Sequence, residues 1–257
     1  MKRQKLFTAL MLLWMAASTA QNRIHTHNTI GWYNYLGTFK LSEKSELHTE
    51  YQWRRNELVT SWQQGLLRVG VNYNPKPNVQ FRLGYAWIET YPYGDIPLNG
   101  LGRDFTEHRI FQMAQLGHKE GILDLSHRFM LEQRFVGRYS SDAKTSEDEF
   151  PLQNRMRYMF RMQIPLKGKS IADKTPYAAL YDEIFIGFGQ NVAANVFDQN
   201  RLGAILGYRI NSMARIEAGY LYQLVQYGRL IDNQNVFQHN HGLIVNLNFN
   251  FDLTSKS

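Results

Sequence analysis

The segment GLIVNLNFNFDL at residues 242–253 alternates large apolar side chains with polar ones for almost its whole length. A β-strand places successive side chains on opposite faces, so this period of two predicts a strand with one apolar face and one polar face. The apolar positions are Leu243, Val245, Leu247, Phe249, Phe251 and Leu253. Such a strand requires an apolar environment on one side and a wet or polar environment on the other.

The same period recurs along the chain, whereas the 3.6-residue period of an amphipathic helix is almost absent. Eleven strands are predicted, at residues 30–41, 46–56, 61–74, 78–91, 104–119, 121–136, 153–166, 176–188, 199–210, 213–227 and 240–253. Most of them are about twice as long as the usual globular strand of roughly 5–6 residues. Because a tilted strand crosses a bilayer in roughly 9–11 residues, these lengths favour a membrane barrel over a soluble sandwich.

The number of predicted strands conflicts with the even number that is usual for bacterial single-chain barrels. We expect an all-β fold, an antiparallel transmembrane β-barrel of 10–12 strands, with 12 favoured because residues 22–29 could form a short extra strand. Connections of two lengths alternate, which predicts short periplasmic turns and longer extracellular loops. The longer connections are predicted at residues 92–103, 137–152, 189–198 and 228–239.

Residues 1–20 have the order of a secretory signal peptide. Three basic residues within 1–5 precede an apolar run at 6–17, and small residues end the segment. The apolar run is shorter than the roughly 20 residues that a helix needs to cross a bilayer. We therefore predict cleavage after Ala20, one mature barrel domain at residues 21–257, and location in the bacterial outer membrane.

Net charge bears on the partners of the chain, and cysteine content bears on the source of its stability. Removal of the signal takes away three basic residues, which lowers the formal net charge from +7 to +4. This charge is too small to predict a nucleic acid partner. The chain has no cysteine, so its stability must come from burial or lipid contact rather than from disulfides. We expect a monomer whose partners are outer-membrane lipids and the barrel-assembly machinery.

Charged side chains share the polar face of several predicted strands. The candidate lumen-lining charges are Arg128, Glu132, Arg134, Arg155, Arg157, Arg161, Glu183 and Arg201. Charges in a narrow lumen lose hydration, so we expect carboxylates to lie beside guanidinium groups, often in bidentate pairs. Two interpretations stay open: a structural ladder that fills a passive barrel, and a basic constriction of a small porin-like channel that favours small anionic solutes.

Asp182 interrupts an apolar face of the predicted strand at 176–188. A carboxylate facing lipid is costly near the middle of a bilayer. A bulge at residues 181–183 would turn this side chain inward, and a position near the headgroup boundary would also accommodate it.

The sequence indicates neither nucleophilic catalysis nor metal binding. Serine-dependent enzymes built on outer-membrane barrels need His and Ser two residues apart on one strand face, and no His-x-Ser occurs. His48 and Glu50 share a face, which we interpret as polar lining. The His-x-His pairs at 25–27 and 239–241 lack the Cys or carboxylate cluster typical of a metal site. We predict no catalytic residue, metal or cofactor; a lipid-modifying enzyme and a secreted soluble barrel that binds an amphiphile remain alternatives.

The last predicted strand has a spacing that resembles the C-terminal assembly signal of bacterial outer-membrane barrels. A polar residue and a glycine precede alternating apolar positions. The matching positions are Asn240, Gly242, Val245, Leu247, Phe249 and Phe251. The chain departs from the usual form because it continues to Ser257 instead of ending at an aromatic residue.

Several stretches are distinctive, most specifically LSHRFMLEQRF at 125–135, NRMRYMFRMQIPL at 154–166 and FDQNRLGAILGY at 197–208. They resemble an uncharacterised outer-membrane family, domain of unknown function 2490. The resemblance covers nearly all of the mature chain. It implies a β-barrel in the outer membrane of a Gram-negative bacterium, and it implies no activity, substrate or catalytic residue.

Overall fold

A computed structural model describes residues 23–192 and 195–254. The predicted signal peptide at 1–20 lies outside the described residues. Eleven strands form one closed barrel. They are β1 (Arg23–Lys40), β2 (Ser45–Asn56), β3 (Ser61–Lys76), β4 (Val79–Thr90), β5 (Phe105–Glu120), β6 (Leu123–Val136), β7 (Leu152–Pro165), β8 (Thr175–Phe188), β9 (Phe197–Arg209), β10 (Ala214–Ile231) and β11 (Gln234–Asp252). Among the described residues no helix is long and apolar enough to cross a membrane.

Consecutive strands pair antiparallel, and β1 closes the barrel by pairing parallel with β11. An odd number of strands that alternate in direction makes the first and the last run the same way, so the closing pair must be parallel. The pair stays in register from Arg23 opposite Asn235 to Lys40 opposite Asp252. The prediction of an all-β barrel with eleven visible strands is confirmed. The preference for twelve is wrong, because residues 23–29 extend β1 instead of forming a separate strand.

The two ends of the barrel differ in their connections. We call one end the loop end; its connections are residues 57–60, 91–104, 137–151, 189–196 and 232–233. The other is the turn end, with connections at residues 41–44, 77–78, 121–122, 166–174 and 210–213. Because the strand number is odd, β1 starts at the loop end and β11 finishes at the turn end.

The predicted long loop at 228–239 is wrong. Strand β10 continues to Ile231 and β11 begins at Gln234, so only two residues connect them. Asp232 and Asn233 have φ values of 48° and 60°, the left-handed conformation of a two-residue hairpin turn. The polar residues of this segment resemble a loop in sequence, yet they form the tip of a long hairpin.

The barrel is polar inside and apolar outside, the reverse of a water-soluble barrel. Leu83 and Leu206 leave 60% and 66% of their surface exposed on the outer face. Other exposed apolar residues on strands are Leu67, Val69, Val71, Phe81, Tyr85, Trp87, Met156, Leu180, Leu202 and Leu247. Arginine, glutamate and amide side chains are buried inside instead. One inner apolar cluster fills the lumen beside the closing pair; it contains Ile30, Trp32, Ala179, Ile205, Leu221 and Ile244.

Gly242 allows the closing pair to come close together. It lies opposite Ile30 in the parallel register. A Cβ on this residue would overlap the backbone carbonyl oxygen of Ile30, which cannot move without shifting the strand. Gly65 offers a contrast, because the nearest atom to its Cβ would be a Trp62 ring carbon at 3.8 Å, an ordinary contact.

We predict that Gly242→Ala weakens barrel closure. The added methyl should force the β1 and β11 backbones apart and cost about 1–3 kcal/mol of folding free energy. Gly65→Ala is the matched control and should cost less. The measurement is the fraction of protein that runs as the compact unboiled band on a semi-native gel, as a function of heating temperature. Equal melting of the two variants would contradict the importance of this contact.

Candidate functional site

One layer of side chains divides the lumen into two cavities. The loop-end cavity has a volume of about 560 Å³ and the turn-end cavity about 500 Å³. Gln52, Arg68, Arg157 and Arg201 line both cavities, so they lie at the boundary between them. We call this boundary the lumen layer. The chemistry of the site depends on how its charges are paired.

Glu132 on β6 is 0% exposed and adjoins the lumen layer through its bond to Arg157. Arg109 on β5 donates to it at 3.0 Å, and Arg157 on β7 donates at 2.7 Å. Arg155, which lies directly opposite Glu132 on β7, donates through Nε at 2.7 Å. Because strand pairing places inward residues side by side, three guanidinium groups converge on one carboxylate.

Glu183 on β8 continues the network away from Glu132. Arg128 and Arg157 each donate to it at 2.8 Å. Arg157 therefore bridges two carboxylates on different strands. Arg201 lies farther away, with Nη1 4.0 Å from the Glu183 carboxylate. The network thus weakens on the side of the lumen where Arg201 lies.

Three further carboxylates complete the network. Arg134 donates to Glu107 at 2.7 Å, and Arg68 donates to Glu50 at 2.7 Å. Asp198 accepts from Arg155. Charge-assisted bonds of this kind are short and strong, and they offset much of the cost of burying each charge.

Aromatic rings pack against several of the guanidinium groups. Arg157 and Arg201 each lie with the guanidinium carbon 4.5 Å from the centre of the Phe185 ring. Arg54 and Arg201 lie 3.8 and 4.7 Å from the centre of the Trp32 ring. Such cation–π contacts fix the planar groups without neutralising their charge.

All eight charged residues proposed from the sequence face the lumen. Seven of them belong to the interactions above. The eighth, Arg161, lines the turn-end cavity and donates to Glu217 at 2.7 Å. The sequence reasoning missed Arg54 and Asp198. Arg54 shares the strand face of Glu50, so extending that face by four residues would have found it. Asp198 lies one residue before the predicted start of its strand.

The segment 91–104, which connects β4 and β5, folds across the loop end; we call it the strap. The Tyr93 hydroxyl donates to Gln238 on β11 at 2.6 Å. The Tyr227 hydroxyl donates to the Ile96 carbonyl oxygen at 2.6 Å, and Arg229 donates to the Pro97 carbonyl oxygen at 2.9 Å. These bonds tie the strap to the opposite wall, so it covers part of the loop-end cavity. From the sequence, residues 92–103 were predicted only as an extracellular loop.

The two cavities differ in charge. Nine arginines and two acidic residues are among the described residues that line the loop-end cavity. Seven arginines and four acidic residues line the turn-end cavity. The loop-end arginines are Arg54, Arg68, Arg109, Arg134, Arg138, Arg155, Arg157, Arg201 and Arg229. The lumen is therefore most positive on the loop side of the lumen layer.

His48 lies in the turn-end cavity and shares a hydrogen bond of 3.1 Å with Glu50, which also pairs with Arg68. In the described part of the chain, no serine hydroxyl lies within hydrogen-bond distance of this imidazole. The geometry is that of a polar lining residue held by an ion pair.

Four histidines meet on the outer face of the closing pair, a juxtaposition that the sequence did not predict. His25 and His239 face each other with ring nitrogens 2.8 Å apart, and His27 stacks on His239 with ring centres 4.8 Å apart. Within residues 23–192 and 195–254, no group of three or more His, Cys, Asp or Glu residues is arranged to hold a metal ion. Parallel strands in register bring the two His-x-His pairs together.

Asp182 faces outward and is exposed on β8. The proposed bulge at 181–183 is wrong, because the register shift between β8 and β9 falls between Phe185 and Ile186. The Asn200 side-chain amide donates to the Asp182 carboxylate at 2.6 Å across the outer face. An outward amide thus partly solvates a carboxylate that would otherwise face an apolar surface.

The predicted assembly positions lie on β11 beside β1. Asn240 faces the lumen and donates to Gln223 at 3.1 Å, and Gly242 lies at the close approach to Ile30. The apolar positions from Val245 to Phe251 face outward. Their role as an assembly signal stays a prediction.

The sequence model described as "Protein of unknown function (DUF2490)" matches residues 29–235. The chain belongs to the DUF2490 family. This family assigns no activity to the arginine and glutamate network. A solved structure described as the NanC porin in a rhombohedral crystal form aligns with 11% identity and a TM-score of 0.42, over 80% of this chain and 91% of that chain. At this TM-score the likeness carries no argument about the chain. The comparison with curated proteins found no match.

We predict that Glu132→Gln destabilises the barrel by about 3–5 kcal/mol, because it leaves three buried guanidinium groups without their shared carboxylate. Glu46→Gln is the matched control. Glu46 accepts a hydrogen bond from Asn72 at 2.9 Å, and its loss should cost about 1 kcal/mol or less. Urea unfolding of the detergent-solubilised barrel measures both changes. A similar midpoint for the two variants would show that the network is not a stabilising centre.

Proposed function

We propose that this protein is an outer-membrane β-barrel that conducts small anionic solutes through a narrow lumen. The observation that carries the proposal is the inverted distribution of polarity. Arginines and carboxylates are buried inside, and large apolar side chains cover the outside. Water would strongly disfavour such an outer surface, whereas hydrocarbon chains would solvate it.

Aromatic residues at both margins of the outer face support a membrane position. Phe39 and Phe251 stack near the turn end with ring centres 5.0 Å apart. Trp53, Trp62 and Tyr91 form a contact series near the loop end. Girdles of this kind mark the two interfaces of outer-membrane barrels. The signal-like order of residues 1–20 supports export to that membrane.

The excess of guanidinium groups over carboxylates supports a preference for anions. Rings of arginine favour anions in pores, because the positive potential raises the local concentration of negative solutes. The excess is greatest on the loop side of the lumen layer. Among the described lining residues, the excess of arginines over acidic residues should attract anions to the loop-end cavity more strongly than to the turn-end cavity.

A passive sealed barrel is the second candidate. The complete burial of Glu132 among three arginines favours it, because a carboxylate bonded to three guanidinium groups resists displacement by passing ions. Barrels of about 8 strands are filled by side chains and those of 16–18 strands hold open channels. Eleven strands lie between these sizes, so conduction separates the two candidates.

Planar-bilayer recording tests the proposal. In a salt gradient of about tenfold KCl, we expect small conductance steps whose reversal potential shifts toward the chloride equilibrium potential. A reversal potential on the potassium side would contradict the arginine-based preference. Complete absence of conductance from correctly folded, heat-modifiable protein would favour the sealed barrel.

Cysteine labelling tests membrane position and orientation, since the chain has no native cysteine. We expect a membrane-impermeant maleimide to label Ser141→Cys, at the loop end, in intact cells. Ser212→Cys, at the turn end, should react only after the outer membrane is opened. Arg23→Cys should behave like the loop-end variant, because β1 starts at that end. Protection of both Ser variants in intact cells would contradict an outer-membrane position with exposed loops.

A further inference from the structure

We propose that the loop-end cavity is a binding site for a small organic anion that carries one carboxylate and several hydroxyl groups. Its carboxylate would lie at Arg54 and Arg201. The inference deepens the proposed function, because it names the class of solute and the place where that solute pauses. It rests on a difference between these two arginines and their neighbours.

Arg54 lacks the ion pair that Arg68, Arg109, Arg155 and Arg157 each form with a carboxylate. Only 6% of the surface of Arg54 is exposed. Among the described residues, no carboxylate lies within salt-bridge distance of its guanidinium. Its partners are instead the side-chain oxygens of Gln52 and Gln64. A buried positive charge with neutral partners only is costly, so this position favours an anion.

Arg201 has a similar environment on the opposite part of the barrel wall. Its Nε and Nη2 donate to the Gln199 side-chain oxygen at 3.2 and 3.0 Å. Its nearest described carboxylate is Glu183 at 4.0 Å, where Arg128 and Arg157 already donate at 2.8 Å. Glu183 is therefore shared among three arginines, and Arg201 receives the smallest part of its charge.

Trp32 brings the two guanidinium groups together. Arg54 from β2 and Arg201 from β9 both contact this indole ring, at 3.8 and 4.7 Å from its centre. The indole Nε1 donates to Gln63 at 2.7 Å, which fixes the ring. Two guanidinium groups held by one rigid ring form a preorganised anion site, because little side-chain freedom remains to be lost on binding.

The amide partners of these arginines can be exchanged for a ligand. A glutamine side chain can rotate away, and a carboxylate accepts the same N–H groups with a full negative charge. The compensated arginines contrast with this arrangement. Arg134 and Arg155 already donate to Glu107 and Asp198, so a ligand would have to displace an ion pair there.

The remaining lining offers many hydrogen-bonding side chains for hydroxyl groups, beside seven leucine, valine and phenylalanine side chains. Beyond the arginines, amides and tyrosines are the most numerous lining residues; they are Gln52, Gln63, Gln64, Tyr93, Asn99, Tyr139, Gln153, Asn191, Asn195, Gln199, Gln223, Gln226 and Tyr227. The cavity of about 560 Å³ is within the usual range for small-molecule sites. The strap covers part of its mouth, which limits the size of the solute.

Isothermal titration calorimetry on the detergent-solubilised full barrel tests the inference with three probes of similar size. Gluconate carries one carboxylate and several hydroxyls, glucose is the neutral analogue, and glucose 1-phosphate replaces the carboxylate with a phosphate. We expect gluconate to bind at least tenfold more tightly than glucose. Tighter binding of glucose 1-phosphate than gluconate would overturn the assignment to carboxylates, and equal binding of gluconate and glucose would overturn the anion site.

Paired variants locate the binding. Arg54→Gln and Arg201→Gln should each weaken gluconate binding at least tenfold. Arg215→Gln is the matched control, because Arg215 lines only the turn-end cavity and should leave the affinity unchanged. Arg54→Lys keeps the charge but loses the bidentate fork, so an intermediate affinity is expected. Equal affinity in wild type and both glutamine variants, each with a normal unboiled band, would overturn the site.

Calorimetry tests the binding site and conductance tests the channel, so either proposal can be contradicted without the other. Gluconate binding by a barrel without conductance would support this site and contradict the channel. Anion conductance without gluconate binding would support the channel and contradict this site.

Discussion

The sharing of each buried carboxylate among several guanidinium groups is the interaction on which the interior depends. A charge inside a narrow barrel loses hydration, and only short, charge-assisted bonds offset that loss. Glu132 meets this requirement with three arginines from two neighbouring strands, and Arg157 extends it to Glu183. The strand register supplies these contacts, since inward residues on paired strands lie side by side. The network therefore fixes which face of each strand is inside, and it leaves the apolar residues for the outside.

The odd number of strands has two structural consequences. The barrel closes through a parallel pair, which removes free strand edges but requires close backbone contact at Gly242 and Ile30. It also places the start of β1 and the end of β11 at opposite ends of the barrel. The same parallel register aligns outward histidines of β1 with those of β11. The histidines of β1 and β11, which are far apart in sequence, thus become neighbours only because these two strands pair to close the barrel.

Much of the fold could be predicted from the sequence, because the period of two is local and strong. All eleven predicted strands are present, and arginines and carboxylates of their polar faces line the two cavities. The parity was not predictable, since nothing local separates a new strand from an extension such as residues 23–29. The hairpin tip at Asp232 and Asn233 was read as a long loop because its flanks are polar. Arg54 was missed although it shares the strand face of Glu50, whereas Tyr93 and the rest of the strap depend on contacts across the lumen that no strand pattern encodes.

The arginines of the lumen layer, which separates the two cavities, differ in how strongly carboxylates hold them. On one side Arg157 is held by two carboxylates and by Phe185, so moving it would break several strong bonds at once. On the other side Arg201 is held by one amide and by aromatic rings, with its carboxylate 4.0 Å away. Of the three arginines that line both cavities, Arg201 has the weakest ion pair, so its displacement breaks the fewest strong bonds. An anion that replaces its amide partner would both satisfy the charge and loosen the layer at its weakest place. Binding and passage would then depend on the same guanidinium group, while the Glu132 centre keeps the barrel wall intact.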